Sequence, residues 1–173
     1  MMSPVVVVIT GLPGTGKSML AELVARRLGA PAFAGDWLLG SLQPAARVLI
    51  HLSRDEQFDL YNCMLRSLVH RQLLLGQSAV ADCLVPDEVL RDWTELAGSL
   101  DARLVVVECV CTDIDVHRSR VEGRLRDIPG WHEVDWAHVE RIRAELAPLT
   151  IDRLVIDAVN PIDTNLETVL AAI

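Results

Sequence analysis

The chain has 173 residues and a mass of 19.1 kDa, and its 16 basic and 24 acidic side chains give a formal net charge of −8. This length fits one compact domain, residues 1–173, and excludes a second domain of ordinary size. A pI near 5.0 disfavours nucleic acid as the main partner, because a surplus of Lys and Arg is needed to neutralise a phosphate backbone. No apolar run approaches the roughly 18 residues that cross a bilayer, so we expect a cytoplasmic protein with no membrane partner.

Short β-branched runs alternate with helical patterns along the whole chain. The first run, residues 5–9, is continuously apolar, which is typical of a parallel strand buried on both faces. A helical pattern then begins at Lys17 and is ended by Gly29 and Pro31. Further strands are predicted at residues 32–34, 78–82, 104–110 and 154–156.

Helices are predicted between these strands. Residues 38–75 are helical in pattern and divide near Ser53, which opens a capping box with Glu56. The helix after Asp113 is predicted to bury Ile114, Val121 and Leu125 and to continue to residue 126. Others are predicted at 86–100, at 135–146 and after residue 161. This alternation predicts an α/β fold in which helices cover both faces of a parallel sheet.

One motif is specific for a nucleotide. Residues 11–18, GLPGTGKS, match the P-loop pattern G-x-x-x-x-G-K-[ST] after a predicted strand and before a predicted helix. Glycines allow backbone N–H groups to surround phosphate oxygens, and the helix N-terminus adds positive potential. The predicted nucleotide-binding residues are Gly11, Gly14, Thr15, Gly16, Lys17 and Ser18.

Lys17 is the only lysine of the chain, and the other 15 cationic side chains are arginines. A compact ammonium on a flexible stem fits beside phosphates inside the loop, whereas the planar guanidinium fork is wider. We therefore expect Lys17 to reach the β- and γ-phosphates of ATP, with the Ser18 hydroxyl on Mg²⁺.

Missing motifs favour phosphoryl transfer to a substrate over nucleotide hydrolysis. The guanine-specific motif N-K-x-D of GTPases needs a second lysine, which the chain lacks. After the third predicted strand, Asp82 is followed by Cys83 and not by the glutamate that commonly positions an attacking water. The length also leaves little room for the extra helical lid of a mechanical ATPase.

These residues make the chain resemble the small P-loop kinases, an AAA_33-like group that includes shikimate and gluconate kinases, chloramphenicol phosphotransferase, zeta toxins and polynucleotide kinase. The resemblance implies a three-layer P-loop fold with five parallel strands in the order 2-3-1-4-5 and a helical lid. It also implies substrate-binding helices at about 37–75 and a lid at about 113–147. Asn160 and Pro161 fall where these kinases often contact adenine.

Two aspartates are candidates for the chemistry. Asp36 stands 19 residues after Lys17, where the resemblance implies the carboxylate that orients the acceptor hydroxyl. Alternatively, Asp36 caps the helix that begins near Trp37. Asp82 ends the third predicted strand, where the resemblance implies a carboxylate on Mg²⁺. A turn-forming aspartate is the alternative there.

Four arginines fall within nine residues after Asp113, at positions 118, 120, 124 and 126. On a continuous helix Arg120 and Arg124 share one side, and Arg118 and Arg126 flank Glu122 and can pair with it. We assign Arg120 and Arg124 as lid arginines that close on the transferring phosphate. A solvated helix face is the alternative.

The sequence thus predicts an ATP- and Mg²⁺-dependent phosphotransferase that acts on a hydroxyl of a small molecule. Residues 37–52 carry few charges, which favours a neutral or apolar acceptor. Alternatives are a regulatory ATPase that acts with a protein partner, a 5′-hydroxyl polynucleotide kinase, which the acidic charge opposes, and a nucleotide-binding module without catalysis.

Overall fold

The computed structural model describes residues 3–173 and contains a sheet of five parallel strands in the order β2-β3-β1-β4-β5. This confirms the predicted α/β P-loop fold and strand order. Ile9 of the central strand pairs with Asp82 on one side and with Val107 on the other. The strands are β1 (Val5–Thr10), β2 (Ala32–Ala34), β3 (Ala79–Asp82), β4 (Arg103–Val110) and β5 (Leu154–Asp157).

Every residue of β1 is buried, because helices cover both faces of the sheet. Val6 and Val8 face one core cluster, and Val7 and Ile9 face another. Burying one such side chain contributes about 1.5–3 kcal/mol, so this strand is the centre of the folded core. Helices α4 (Arg54–Leu74) and α5 (Asp87–Ser99) pack in the first cluster, and α1 (Lys17–Leu28) and α8 (Ile162–Leu170) pack in the second.

The region predicted as one helix before Ser53 consists of shorter pieces. These are α2 (Gly35–Ser41), a 3₁₀ turn (Gln43–Ala45) and α3 (Ala46–Leu49). A proline lies in the first turn of the 3₁₀ segment, and proline cannot continue a preceding helix. The predicted capping box is confirmed, since the Ser53 hydroxyl accepts from the Glu56 N–H while the Glu56 carboxylate accepts from the Ser53 N–H.

The helix after Asp113 is shorter than predicted. Asp113 caps it as expected, but α6 (Ile114–Glu122) ends at Gly123. The prediction that α6 buries Ile114 and Leu125 is wrong, because Ile114 is 49 % exposed in the first turn and Leu125 is 90 % exposed beyond the helix end, whereas Val121 is buried as predicted. A loop follows and leads to α7 (Trp136–Glu145), which begins after Asp135 as predicted. Within residues 3–173, no helix is both long and apolar enough to span a membrane.

Candidate nucleotide and phosphoryl-transfer site

The P-loop lies between β1 and α1, at the carboxyl edge of the sheet. Gly11, Gly14 and Gly16 have φ values of 139°, 90° and 80°, which L side chains rarely adopt. A Cβ on Gly11 would lie 2.2 Å from the carbonyl oxygen of Cys109. Gly16 precedes α1 and leaves its N-terminus without a side-chain cap, so the first N–H groups of the helix remain available to an anion.

Lys17, Ser18 and Asp82 meet beside this loop. Lys17 and Asp82 are only 9 % and 7 % exposed, and the pairing of β3 with β1 sets Asp82 at the loop's edge. Burial raises the pKa of the Asp82 carboxyl, while the Lys17 ammonium and the Ser18 hydroxyl oppose that rise. Its Oδ1 atom is buried and has no hydrogen-bond partner in the described part of the chain.

This donor set fits Mg²⁺, which uses one or two protein oxygens together with phosphates and water. Ser18 and Asp82 are the residues that would hold the ion, and the unpartnered Oδ1 is an oxygen that it would satisfy. Residues 3–173 contain no group of three or more His, Cys, Asp or Glu side chains that could hold a metal by themselves. A bound nucleotide would therefore have to supply the remaining ligands.

Asp36 lies in the first turn of α2, just after β2. The alternative that it caps this helix is wrong, because Ala34 is the N-cap residue and no side-chain cap is formed. Its Oδ2 atom instead accepts a hydrogen bond from Nη1 of Arg126. The carboxylate thus faces the loop between α6 and α7 across the mouth of the site.

The four arginines after Asp113 separate into different environments. Arg118 pairs with Glu122 at 2.8 Å, as predicted, and both side chains are exposed. The prediction that Arg126 also flanks Glu122 is wrong, because Arg126 lies beyond the helix and contacts Asp36 and, at 3.6 Å, Glu133.

Arg120 and Arg124 do not share a helix face, since α6 ends before Arg124. Arg120 donates to the carbonyl oxygen of Ala158 at 3.0 Å, beside the segment predicted to contact adenine. The Nε and Nη2 atoms of Arg124 are buried without a hydrogen-bond partner among residues 3–173. Burial and the neighbouring Arg126 lower the pKa of Arg124, because both disfavour a charged guanidinium there. An anion placed beside this group would offset that cost.

A pocket of about 210 Å³ is lined by Ser18, Asp82, Asp36, Trp37 and Arg126. Arg120 and Arg124 are not part of its lining. A second groove, of about 290 Å³, lies between α4 and α5 on the outer surface and includes Phe58, Asn62 and Trp93, but it contains none of the predicted site residues.

Sequence reasoning missed the neighbourhood of His117. This side chain is 1 % exposed, and its Nε2 atom lies 2.8 Å from the carbonyl oxygen of Pro13 in the P-loop. The two residues are 104 positions apart, and no spacing rule joins positions so distant. The same holds for Arg126 and Asp36, which lie 90 positions apart.

No curated protein sequence matches the chain. Among solved structures, a sugar kinase from Janibacter sp. HTCC2649 is 20 % identical with a TM-score of 0.70, and the match covers 98 % of this chain and 94 % of that one. A gluconokinase from Sinorhizobium meliloti 1021 is 18 % identical with a TM-score of 0.71, covering 99 % and 92 %. Chaetomium thermophilum Kti12, in complex with ADP-AlF3, is 14 % identical with a TM-score of 0.71, covering 97 % and 98 %. These likenesses establish a shared fold.

A model of the family AAA_33, described as an AAA domain, matches residues 6–149. The match includes the P-loop, Asp36, Asp82 and the arginines between α6 and α7. The predicted resemblance to AAA_33-like P-loop proteins is therefore confirmed, and the chain belongs to the AAA_33 family.

Proposed function

We propose that this protein is an ATP-dependent phosphotransferase that moves the γ-phosphate of Mg-ATP to a hydroxyl of a small molecule. One observation carries the proposal: a single pocket is lined by the metal-side residues Ser18 and Asp82 and by the carboxylate of Asp36. An enzyme that only hydrolyses ATP has no need of an acceptor-sized pocket that is lined both by a second carboxylate and by the metal-side residues. The kinase names of two proteins with the same fold agree with this function.

In the proposed reaction, the acceptor hydroxyl lies in the pocket and donates a hydrogen bond to Asp36. Its oxygen forms a bond to the γ-phosphorus while the bond from that phosphorus to the β–γ bridging oxygen breaks. ADP leaves, and the hydroxyl proton passes to Asp36 late in the transfer. Lys17 and Arg124 offset the charge that spreads over the transferring phosphoryl oxygens.

Ser18 and Asp82 would hold Mg²⁺, which when bound offsets phosphate charge and orients the nucleotide. Arg120 belongs to the proposed site through its contact with the loop after β5, which we propose as the adenine side. We retain Arg120 and Arg124 as the arginines of a lid spanning about 113–147, and residues 37–75 as the acceptor-binding helices.

Arg126 has a role that the sequence did not suggest. Its guanidinium holds Asp36, so an acceptor hydroxyl has to share or replace that contact before Asp36 can accept its proton. We propose that Arg126 turns toward the phosphate when both substrates are bound. This exchange would couple nucleotide binding to the release of the base.

The proposed acceptor is neutral or apolar. The pocket contains the carboxylates of Glu22, Asp36 and Asp82, and its single cation, Arg126, already contacts two carboxylates. An acceptor with several negative charges would meet uncompensated repulsion there. The end of a polynucleotide carries several phosphate charges, so a polynucleotide acceptor is disfavoured for the same reason.

We also propose a cytoplasmic location, which agrees with the four cysteines, all of which are free.

The decisive experiment measures transfer of labelled γ-phosphate from ATP into a pooled library of hydroxyl metabolites and antibiotics. Asp36→Asn is expected to lower transfer by about 10²–10⁴-fold in a protein that still binds ATP through the P-loop. Asp59→Asn is the matched control, because Asp59 is exposed on α4 and lines the other groove. Equal transfer by wild type and Asp36→Asn would contradict the assigned base. Label found only in phosphorylated or acidic acceptors would contradict the acceptor class.

A regulatory ATPase that acts with a protein partner is the second candidate. Val48 and Ile50 are 65 % and 71 % exposed on the segment beside the pocket, and a partner could cover them. Kti12, whose fold is shared, is not named as a kinase. ATP turnover that needs no acceptor and is the same in Asp36→Asn would favour this function over transfer.

A further inference from the structure

His117 lies between the P-loop and α7, and both of its ring nitrogens have partners. Nε2 lies 2.8 Å from the carbonyl oxygen of Pro13, and Nδ1 lies 3.2 Å from Nη2 of Arg143. His117 is the fourth residue of α6, and its side chain is almost fully buried. It therefore bridges the nucleotide loop and a helix that is distant in sequence.

The partners define the state of the ring. A carbonyl oxygen only accepts, so Nε2 carries the proton and donates to Pro13. A guanidinium only donates, so Nδ1 is unprotonated and accepts from Arg143. A neutral imidazole has one donor and one acceptor, and it satisfies both contacts at once. Burial, first, and the nearby guanidiniums lower the pKa of His117 and favour this neutral form.

The contact with Pro13 controls the next peptide group. A trans peptide is planar, and its C=O and N–H bonds point in opposite directions. With the Pro13 carbonyl turned toward His117, the N–H of Gly14 points away from α6. The backbone of Gly14 is pressed against this helix, because a Cβ there would lie 2.4 Å from Val121 and 3.1 Å from His117. The conformation of this peptide is thus tied to the contact of Pro13 with His117 and to the close packing of Gly14 on α6.

Arg143 and Trp136 hold the imidazole in place from the other side. The Arg143 guanidinium lies 5.3 Å over the Trp136 ring, and that ring meets His117 edge-on at 5.1 Å. Trp136 belongs to a small buried cluster that also contains Val121 and packs against Leu12 of the P-loop. The loop is thus supported through both its backbone and a side chain.

We propose that His117, oriented by Arg143, is a positioning residue that fixes the Pro13–Gly14 peptide so that the Gly14 N–H is available to a nucleotide phosphate. The role does not depend on what happens to the γ-phosphate. It therefore goes beyond the proposed function and applies equally to a kinase, an ATPase or a binding module.

Calorimetric titration of the full chain with Mg-ADP tests this role. His117→Leu removes the donor and is expected to raise the Kd for Mg-ADP roughly tenfold, because a buried carbonyl loses its partner. His117→Gln carries an amide N–H that can reach the Pro13 oxygen, so we expect its Kd to stay within about threefold of wild type. A purely packing role would be disturbed about equally by both substitutions.

Arg143→Met keeps the imidazole but removes the group that orients it, and it is expected to raise the Kd by about threefold. Arg141→Met is the matched control on the same helix, since the Arg141 guanidinium contacts His138 instead of His117. If His117→Leu fails to fold, the comparison of the Kd for Mg-ADP between Arg143→Met and Arg141→Met tests the proposal. Equal Kd values for those two proteins, or equal weakening by His117→Leu and His117→Gln, would overturn the proposal.

Discussion

Two halves of the candidate site differ in how the chain builds them. The phosphate side comes from one continuous segment, in which β1, the P-loop and α1 follow each other over residues 5–28. The proposed acceptor side is assembled from α2 and from the loop between α6 and α7, which meet through Arg126 and Asp36 across 90 positions. The motif of the continuous half lies between a strand and a helix, as predicted. The wrong predictions, for the helical positions of Arg124 and Arg126, concern the assembled half.

The difference shows what each half depends on. The P-loop is shaped by backbone conformations that glycine permits, and these are local properties. The loop between α6 and α7 begins where α6 ends, and the contacts of its arginine side chains depend on the groups that other elements place beside it. Arg124 and Arg126 do not lie on the predicted helix, because α6 ends at Gly123.

Lys17→Arg is the largest expected effect and tests the continuous half. The wider guanidinium does not fit a buried site beside the phosphates, so we expect phosphoryl transfer to fall more than about 10³-fold. The free energy of unfolding should fall by about 1–3 kcal/mol, because the larger side chain has to be accommodated at a buried position. Label transfer from ATP and urea unfolding measure the two quantities. Substantial transfer by the variant would contradict the argument from the single lysine.

Arg124→Met tests the assembled half. Two of its guanidinium nitrogens are buried without a partner, so methionine should leave the free energy of unfolding equal or higher. Transfer should nevertheless fall by about 10²–10³-fold, because the charge that we propose to offset the transferring phosphoryl oxygens is lost. Arg118→Met is the control, since it breaks only an exposed pair on α6. Similar kinetics in both variants would remove Arg124 from the site.

Gly35→Ala tests how closely the acceptor side is packed. A Cβ at this position would lie 2.2 Å from the Tyr61 ring, whose hydroxyl accepts from the N–H of Leu84. We expect a loss of about 1–3 kcal/mol in the free energy of unfolding, measured with urea. Gly98→Ala on α5 meets no atom within 4 Å and should stabilise by up to about 1 kcal/mol. A neutral Gly35→Ala would show that Tyr61 can move.

The pH dependence of stability tests the contact of His117 on α6 with the P-loop, and it is the smallest expected effect. Burial lowers the pKa of His117, and Arg143, Arg120 and Arg124 act in the same direction. As pH falls through the ordinary histidine value near 6.5, the unfolded chain gains a proton that the folded chain does not, so stability falls. The slope for one such group is at most about 1.4 kcal/mol per pH unit.

Urea unfolding at pH 7.5 and at pH 5.5, in wild type and His117→Gln, measures this contribution. The wild type should lose more stability over the interval than the variant. Burial raises the pKa of the Asp82 carboxyl, but that group titrates in both proteins and cancels from the difference. Equal losses would mean that folding does not lower the pKa of His117.

The sequence by itself determined the order of strands and helices along the chain. Continuous β-branched runs, capping residues and glycines affect the backbone conformation of residues only a few positions away. It determined the P-loop for the same reason, down to the role expected of Lys17. It also placed Asp36 and Asp82 at the carboxyl ends of two strands. Only the tertiary structure decided which charges meet: Arg126 with Asp36, Arg120 with the loop after β5, and His117 with Pro13. Those contacts depend on where α6 ends and how α7 packs on the P-loop, and the free energy of such packing is shared among residues that no local pattern connects.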